Sequence, residues 1–171
     1  MYELFYDKLM RVFPEMKLVY TDTDSFIVMV EHEEGMEPKR LFEFIDSKCP
    51  GLFGKIGGQV KSETGEDDLI DEVIALRSKL YAYKTTKGKV GKRAKGTTAA
   101  AQETQLDWET YKQALFELKS VETHNMQFVR KGFKISTVEM VKQSISVNDG
   151  KRYICEDGVH TLAWGNPKIP H

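Results

Sequence analysis

Lys17-Leu18-Val19-Tyr20-Thr21-Asp22-Thr23-Asp24-Ser25-Phe26-Ile27-Val28-Met29-Val30 sets two short β-prone runs, Lys17–Tyr20 and Phe26–Val30, around the compact polar turn Thr21–Ser25. The pattern predicts a β-hairpin. Its turn is chemically unusual. Asp22 and Asp24 stand one residue apart with no Lys or Arg in the turn to relieve their repulsion. A hard divalent cation relieves it: Mg²⁺ accepts one or two protein carboxylates, keeps waters and takes its remaining oxygens from phosphates. Residues i and i+2 share a face of a strand, whereas in a tight turn they diverge. One carboxylate can then ligate directly while the other supports it through hydrogen bonds. The bland alternative is a polar hairpin turn, since Asp, Thr and Ser all favour turns through local hydrogen bonds.

Outward from the hairpin, residues 2–13 place Leu4, Phe5, Leu9, Val12 and Phe13 at helical spacing, ended by Pro14. Pro38 ahead of Leu41, Phe42, Phe44 and Ile45 predicts a second helix with proline in its first turn. Pro50 and the glycines from Gly51 to Gly58 break regularity. Val60, Val73–Leu76 and Leu80–Tyr83 read as further strands around the polar segment Ser62–Asp68. Thr85–Gln105, rich in Gly, Lys, Ala and Thr, reads as a connector and the best internal boundary. Asp107 is placed to cap a helix running to about Lys119, with Leu106 and Tyr111 as a hydrophobic staple. Phe133–Val147 alternates only loosely, a strand-like or mixed signal, and Lys151–Trp164 resembles a short hairpin turning at Glu156-Asp157-Gly158. Helices and strands mix without a βαβ rhythm, so the expected class is α+β.

The chain has 171 residues, enough for one ordinary domain or two small ones. An apolar fraction of 40% and a charged fraction of 30% fit a soluble protein with a packed core rather than a disordered one. No apolar run reaches the roughly 18 residues a membrane span needs. Glu3, Asp7 and Lys8 near the start do not fit a signal peptide, so an intracellular, soluble setting is expected, without a membrane partner. Cys49 and Cys155 lie far apart without ligand-spaced partners and read as inert thiols. His32, His124, His160 and His171 form no cluster and receive no chemical role.

The net charge of −1 hides a strong asymmetry. Ala75–Ala101 holds no acid, yet carries Arg77, Lys79, Lys84, Lys87, Lys89, Lys92, Arg93 and Lys95. Acids gather at Glu31–Glu34 and Glu63–Glu72. One face that tracks a polyanion gives this distribution. Within the window, Ala75-Leu76-Arg77-Ser78-Lys79-Leu80-Tyr81-Ala82 contains Lys-x-Tyr. On one strand, Lys79 and Tyr81 would share a face, presenting a cation for phosphate and a ring for a sugar or base. Lys92-Arg93-Ala94-Lys95-Gly96 adds a basic run ending in glycine.

Together these residues resemble the palm of a family B DNA polymerase. Its acidic palm motif commonly reads Tyr-Gly-Asp-Thr-Asp-Ser, and here Thr21 replaces the glycine. Arg77-Ser78-Lys79-Leu80-Tyr81 is similar to the family's Lys-x-Tyr motif, and Lys92–Gly96 to its palm-to-thumb Lys-Gly segment. Gly58–Glu63, together with Lys151–Ile154, Asp157-Gly158 and His160–Ala163, resembles the protein-primed type of large mobile elements and viruses.

The resemblance implies an antiparallel palm sheet with packed helices over residues 1–96, followed by a small thumb-like region over 97–171. It implies template-directed nucleotidyl transfer by two Mg²⁺ ions on primer-template DNA and deoxynucleoside triphosphates. By the family roles Asp24 would ligate metal, Asp22 would support metal or nucleotide placement, and Tyr20, Thr21, Thr23 and Ser25 would shape the turn. Lys79 and Tyr81 would hold the primer terminus, and Arg77, Lys92, Arg93 and Lys95 would neutralise phosphates.

The match covers nearly all of this sequence but only the last part of a polymerase. The upstream Asp-x-x-Ser-Leu-Tyr-Pro-Ser-like motif, the fingers residues and any exonuclease motif are not in it. A C-terminal fragment, inactive until a missing N-terminal portion is supplied, is therefore expected. The alternatives are a non-catalytic DNA-binding remnant that keeps only the basic window, and an unrelated ion-binding or interaction protein whose turn is structural.

Overall fold

The computed structural model describes residues 1–33, 35–147, 152–158 and 160–170, and its fold is α+β. The N-terminal apolar spacing forms a π-helix over Glu3–Leu9, continued by a short α-segment, α1 (Met10–Val12). Phe13, forced out of the helical region by Pro14, ends it at φ −126° and ψ 77°. The predicted hairpin follows as β1 (Lys17–Asp22) and β2 (Ser25–Met29). Phe5, Leu9 and Met16 form a buried cluster, with Phe26, Val28, Val30, Cys49 and Leu52 packed against it. Burying side chains of this size stabilises by about 1.5–3 kcal/mol each. The second predicted helix is α2 (Pro38–Lys48), with Pro38 in its first turn and Leu41 and Ile45 buried.

Strands β3 (Ile70–Arg77), β4 (Leu80–Thr85) and β5 (Val90–Ala94) make a three-stranded sheet in that order. By contacts the chain divides into two units, Met1–Ala75 with Tyr83–Gly91 and Leu76–Ala82 with Lys92–His171. In the first unit, Asp68 is a buried carboxylate, 5% exposed. Burial pushes its pKa up, but hydrogen bonds from the Thr85 and Thr86 hydroxyls and the Lys87 amide outweigh that and leave it lowered. The Thr86 hydroxyl donates to Asp68 Oδ1 at 2.9 Å and the Lys87 amide at 3.2 Å, clamping the β4–β5 turn to the polar segment before β3. Val60, expected in a strand, makes only an isolated bridge to Phe53.

The segment read as a connector is structured. It contains β5 and a helix, α3 (Ala99–Gln105), whose amino end is capped where the Thr98 hydroxyl accepts from the Ala101 amide. Gly91 supplies the physical reason that a Gly/Lys-rich stretch can be a strand. A Cβ there would lie 2.1 Å from the Tyr83 ring, so that ring occupies the space over the glycine. Helix α4 (Trp108–Glu117) follows the predicted cap, as Asp107 accepts from the Thr110 amide at 2.8 Å. The expected staple residues Leu106 and Tyr111 are both buried.

The unsettled stretch after Phe133 is β7 (Lys134–Ile145), paired antiparallel with β6 (Val121–Lys131), a strand that the sequence reading did not identify. The closing hairpin pairs β8 (Arg152–Ile154) with β9 (Thr161–Ala163). Lys151, expected to begin it, lies outside the described residues, as do Glu34 and His171.

Asp68→Asn tests the carboxylate clamp. A carboxyl whose folded pKa is depressed adds stability above its unfolded value, near 3.8, and loses it as pH falls through the folded value. The variant should therefore unfold earlier than wild type at neutral pH in urea titrations, with the difference narrowing below that range. Gly91→Ala should lower stability by about 1–3 kcal/mol in the same assay, because the Tyr83 ring must leave its position.

Candidate metal turn and basic cavity

The acidic turn is built by the β1–β2 hairpin of the first unit. Cross-strand partners are Leu18 with Val28, Tyr20 with Ile27, Thr21 with Phe26 and Asp22 with Ser25, and the register shifts between Leu18 and Tyr20. Val19 is the extra residue. A bulge of this kind re-aims the strand beyond it. Phe26 and Val28 pack on the Phe5–Leu9–Met16 cluster. Tyr20, Asp22, Ser25 and Ile27 consequently share the opposite face, where strict alternation from Leu18 would have put Tyr20 and Asp22 with Phe26.

Only Thr23 and Asp24 separate the strands, so the turn is tighter than the five residues Thr21–Ser25 predicted. Thr23 has φ +57°, in the left-handed region. Two-residue hairpins with positive φ at the first central position favour glycine there, and a β-branched residue is strained. Side chains compensate. The Thr21 hydroxyl donates to the Ser25 carbonyl at 3.1 Å, Thr23 to Asp22 Oδ1 at 3.0 Å, and Ser25 to the Asp22 carbonyl at 3.1 Å. The Asp24 amide donates to the Asp22 carbonyl at 2.7 Å. Thr21, Thr23 and Ser25 thus shape the turn through their hydroxyls. Asp22 is half-buried at the strand end and Asp24 is exposed at the tip. No group of three or more His, Cys, Asp or Glu side chains able to hold a metal occurs among the described residues. The donor set here is a carboxylate pair, which suits a cation that retains waters or phosphate oxygens.

The basic candidates all lie in the second unit. Lys79 is not on a strand. Ser78 and Lys79 form the turn between β3 and β4, with Lys79 at φ +60°, and Tyr81 is the second residue of β4. The shared-face argument for Lys79 and Tyr81 therefore fails, because a polar Arg-Ser-Lys sequence turns the chain one residue before the strand resumes. The turn instead joins two motifs that are far apart in the sequence. The Lys95 amide donates to the Lys79 carbonyl at 3.0 Å, and Arg77, Ser78, Lys79, Leu80 and Lys95 line a cavity of about 110 Å³. No acid lines it. The Nε of Arg77 is buried without a hydrogen-bond partner, an arrangement that costs about 1–3 kcal/mol or more for a charged group. The cationic side chains that line the cavity suit an anion.

Lys92 has a different role. Its ammonium donates to the carbonyls of Leu106, at 2.5 Å, and Glu103, at 3.4 Å, holding the carboxyl end of α3. Arg93 and Lys95 are exposed, and Tyr81 is half-buried. The backbone between them is held firmly. The Tyr111 hydroxyl donates to the Arg93 carbonyl at 3.1 Å, and the Ala94 amide donates to Gln102 Oε1 at 2.9 Å. Burial of Tyr111, reinforced by Tyr81, pushes its pKa up to about 12, so it stays a neutral donor. Thr97 donates to Ser144 at 2.6 Å, the Thr98 amide to Asn125 Oδ1 at 2.8 Å, and Lys142 to the Gly96 carbonyl at 3.1 Å. Sequence reasoning missed Gln102 and Asn125, which carry no charge or motif to mark them, and gave no role to Ser78, which lies within the Lys-x-Tyr stretch. It also missed Val19, whose signal is only a change of register. Comparison of the chain with family models, with curated proteins and with solved structures gives no match.

Inorganic phosphate should raise the melting temperature of the wild type through linkage, with about 1.4 kcal/mol of added stability at ten times the dissociation constant. Arg77→Met and Lys95→Gln should each diminish that increment. Thermal unfolding followed by circular dichroism, with and without phosphate, measures it.

Proposed function

We propose that this chain is the C-terminal palm and thumb-like portion of a family B DNA-directed DNA polymerase, a nucleotidyltransferase of DNA replication. The observation that carries the reading is the Tyr20–Ser25 turn, which presents Asp22 and Asp24 at a hairpin tip despite positive φ at Thr23. Strain of this kind, about 1–3 kcal/mol, is retained where the surrounding structure holds it for a purpose. The cavity of Arg77, Lys79 and Lys95 supports the reading, since it suits a phosphate of primer-template DNA.

In this reading Asp24 is the direct Mg²⁺ ligand and Asp22 supports it. Bound Mg²⁺ supplies charge neutralisation on the triphosphate and a lowered pKa for the attacking 3′-hydroxyl. The chain's own part is to hold and orient. Asp24, exposed at the tip, meets the metal-bound triphosphate, while the Thr21, Thr23 and Ser25 hydroxyls fix the turn. Arg77, Lys79 and Lys95 hold a backbone phosphate, Arg93 adds an exposed cation beside them, and Tyr81 stands behind the primer terminus. Lys92 acts indirectly, by fixing the α3 end.

A pair of carboxylates is less than a two-metal centre needs. The second metal-binding Asp and the nucleotide-binding fingers would come from a preceding stretch or from a separate chain. These 171 residues by themselves are then expected to bind DNA without extending it. The carboxylate pair, with no third acid beside it among the described residues, also favours a second reading, a non-catalytic DNA-binding remnant.

Primer extension separates the two. With an upstream palm-fingers portion supplied in trans or fused in frame, extension should appear and should fall to background with Asp24→Ala. Activity equal to wild type in Asp24→Ala would rule out the catalytic role. No extension at all, with DNA binding unaffected by Asp22 or Asp24 substitution, would favour the remnant.

A further inference from the structure

Strands β6 and β7 form an antiparallel ribbon whose far half carries an unusual surface. The chain from Thr123 to Val138 contains no acid, yet its tip reads Arg130-Lys131-Gly132-Phe133-Lys134. Phe133 sits in the turn and is 102% exposed, Phe128 is 83% and Ile135 72% exposed. The register places Arg130 opposite Ile135 and Phe128 opposite Thr137 on one face, and Lys131 opposite Lys134 on the other. An apolar edge thus ends in an uncovered aromatic ring with cations on both faces of the ribbon. Arg130 donates from Nε to the Gly132 carbonyl at 2.9 Å, which holds the guanidinium against the turn. Gly132, at φ +62°, lets the turn close in two residues.

We propose that this ribbon is a nucleic-acid-binding arm: Arg130, Lys131 and Lys134 contact phosphates on the two walls of a duplex groove, and Phe133 contacts the bases between them. Charge and geometry favour this occupant. A two-stranded ribbon fits a DNA groove, and apolar side chains at the tips of such elements wedge between base steps. A second copy of the chain meeting tip to tip would bring the three cations against their own images. Burial in a lipid interior would drag them below the headgroups, because they adjoin the ring directly. The arm shares no residue with the acidic turn or with the Arg77–Lys95 cavity, and it uses no metal.

Fluorescence anisotropy of a labelled duplex with the full chain, in EDTA and without nucleotide, tests the arm across a salt series. Lys131→Gln with Lys134→Gln should reduce the slope of log affinity against log salt by about 1.8, at about 0.9 per phosphate contact. Phe133→Ala should leave the slope unchanged, weaken binding about 5- to 100-fold and abolish the fluorescence change of a 2-aminopurine placed in the duplex. Both variants lie on exposed positions, and unchanged melting curves confirm that they fold. Unaltered affinity and slope in both variants would overturn the proposal. So would a preference for phosphatidylserine vesicles over duplex, or a dimer in sedimentation that Phe133→Ala dissociates. Because the assay excludes metal, failure of the primer-extension test leaves this result standing, and failure here leaves that one standing.

Discussion

A buried chain of polar side chains anchors the second unit. Thr97, Ser144, Thr123 and Asn125 are all buried, and each is hydrogen-bonded within the group. Asn125 donates to the Thr123 hydroxyl at 2.7 Å and accepts from the Thr98 amide, while Gln102 donates to the Thr97 carbonyl at 2.9 Å. Fully satisfied networks in a low dielectric are rigid, and removing one member strands the others. This network ties the root of the β6–β7 ribbon to the segment after β5 and to α3. The position of Lys95, and through its amide the turn at Lys79, is inherited from it.

The two cationic features of this unit therefore have different characters. The Arg77–Lys79–Lys95 cavity is set by backbone hydrogen bonds on a held segment, and its Arg77 Nε is already desolvated. Preorganised groups of that kind lose little on binding an anion. The ribbon tip is exposed and carries its charges on long side chains, so it suits contact over many sequences rather than a single fixed pose. Lys92 shows why charge alone is a poor guide. It belongs to the same basic run, yet its ammonium closes a helix end.

The parts that were legible in the sequence were those where local chemistry and burial agree. The β1–β2 hairpin pairs apolar runs with turn-forming residues. Helix α2 starts at a proline suited to its first turn, and α4 begins at an aspartate with Leu106 and Tyr111 buried on either side of the start. Strand β6 was missed for the opposite reason. Its inward positions include Thr123 and Asn125, so the buried face is polar and the alternation that marks a half-buried strand is absent. Helix α3 was hidden by composition, although three alanines after a capping threonine are good helix formers. Lys79 was misplaced because neither Ser78 nor Lys79 is the glycine or asparagine that usually marks a positive-φ turn. At the candidate site, residue types were readable but the approach of Lys95 to Lys79 was not, since it depends on pairing between segments distant in sequence.

The bulge at Val19 gives the acidic turn a parity. From Leu18 to Tyr20 the strand advances two residues against one on β2, so everything beyond is displaced by one place. Pairing Val19 with Ile27 in a bulge-free ladder, with every residue kept, would turn Asp22 toward the side of Phe26 and Val28. A change of side chain at Val19 leaves that count untouched. The hairpin should accordingly tolerate substitution of Val19, and even its loss, which keeps Asp22 opposite Ser25, far better than a slip of one strand against the other.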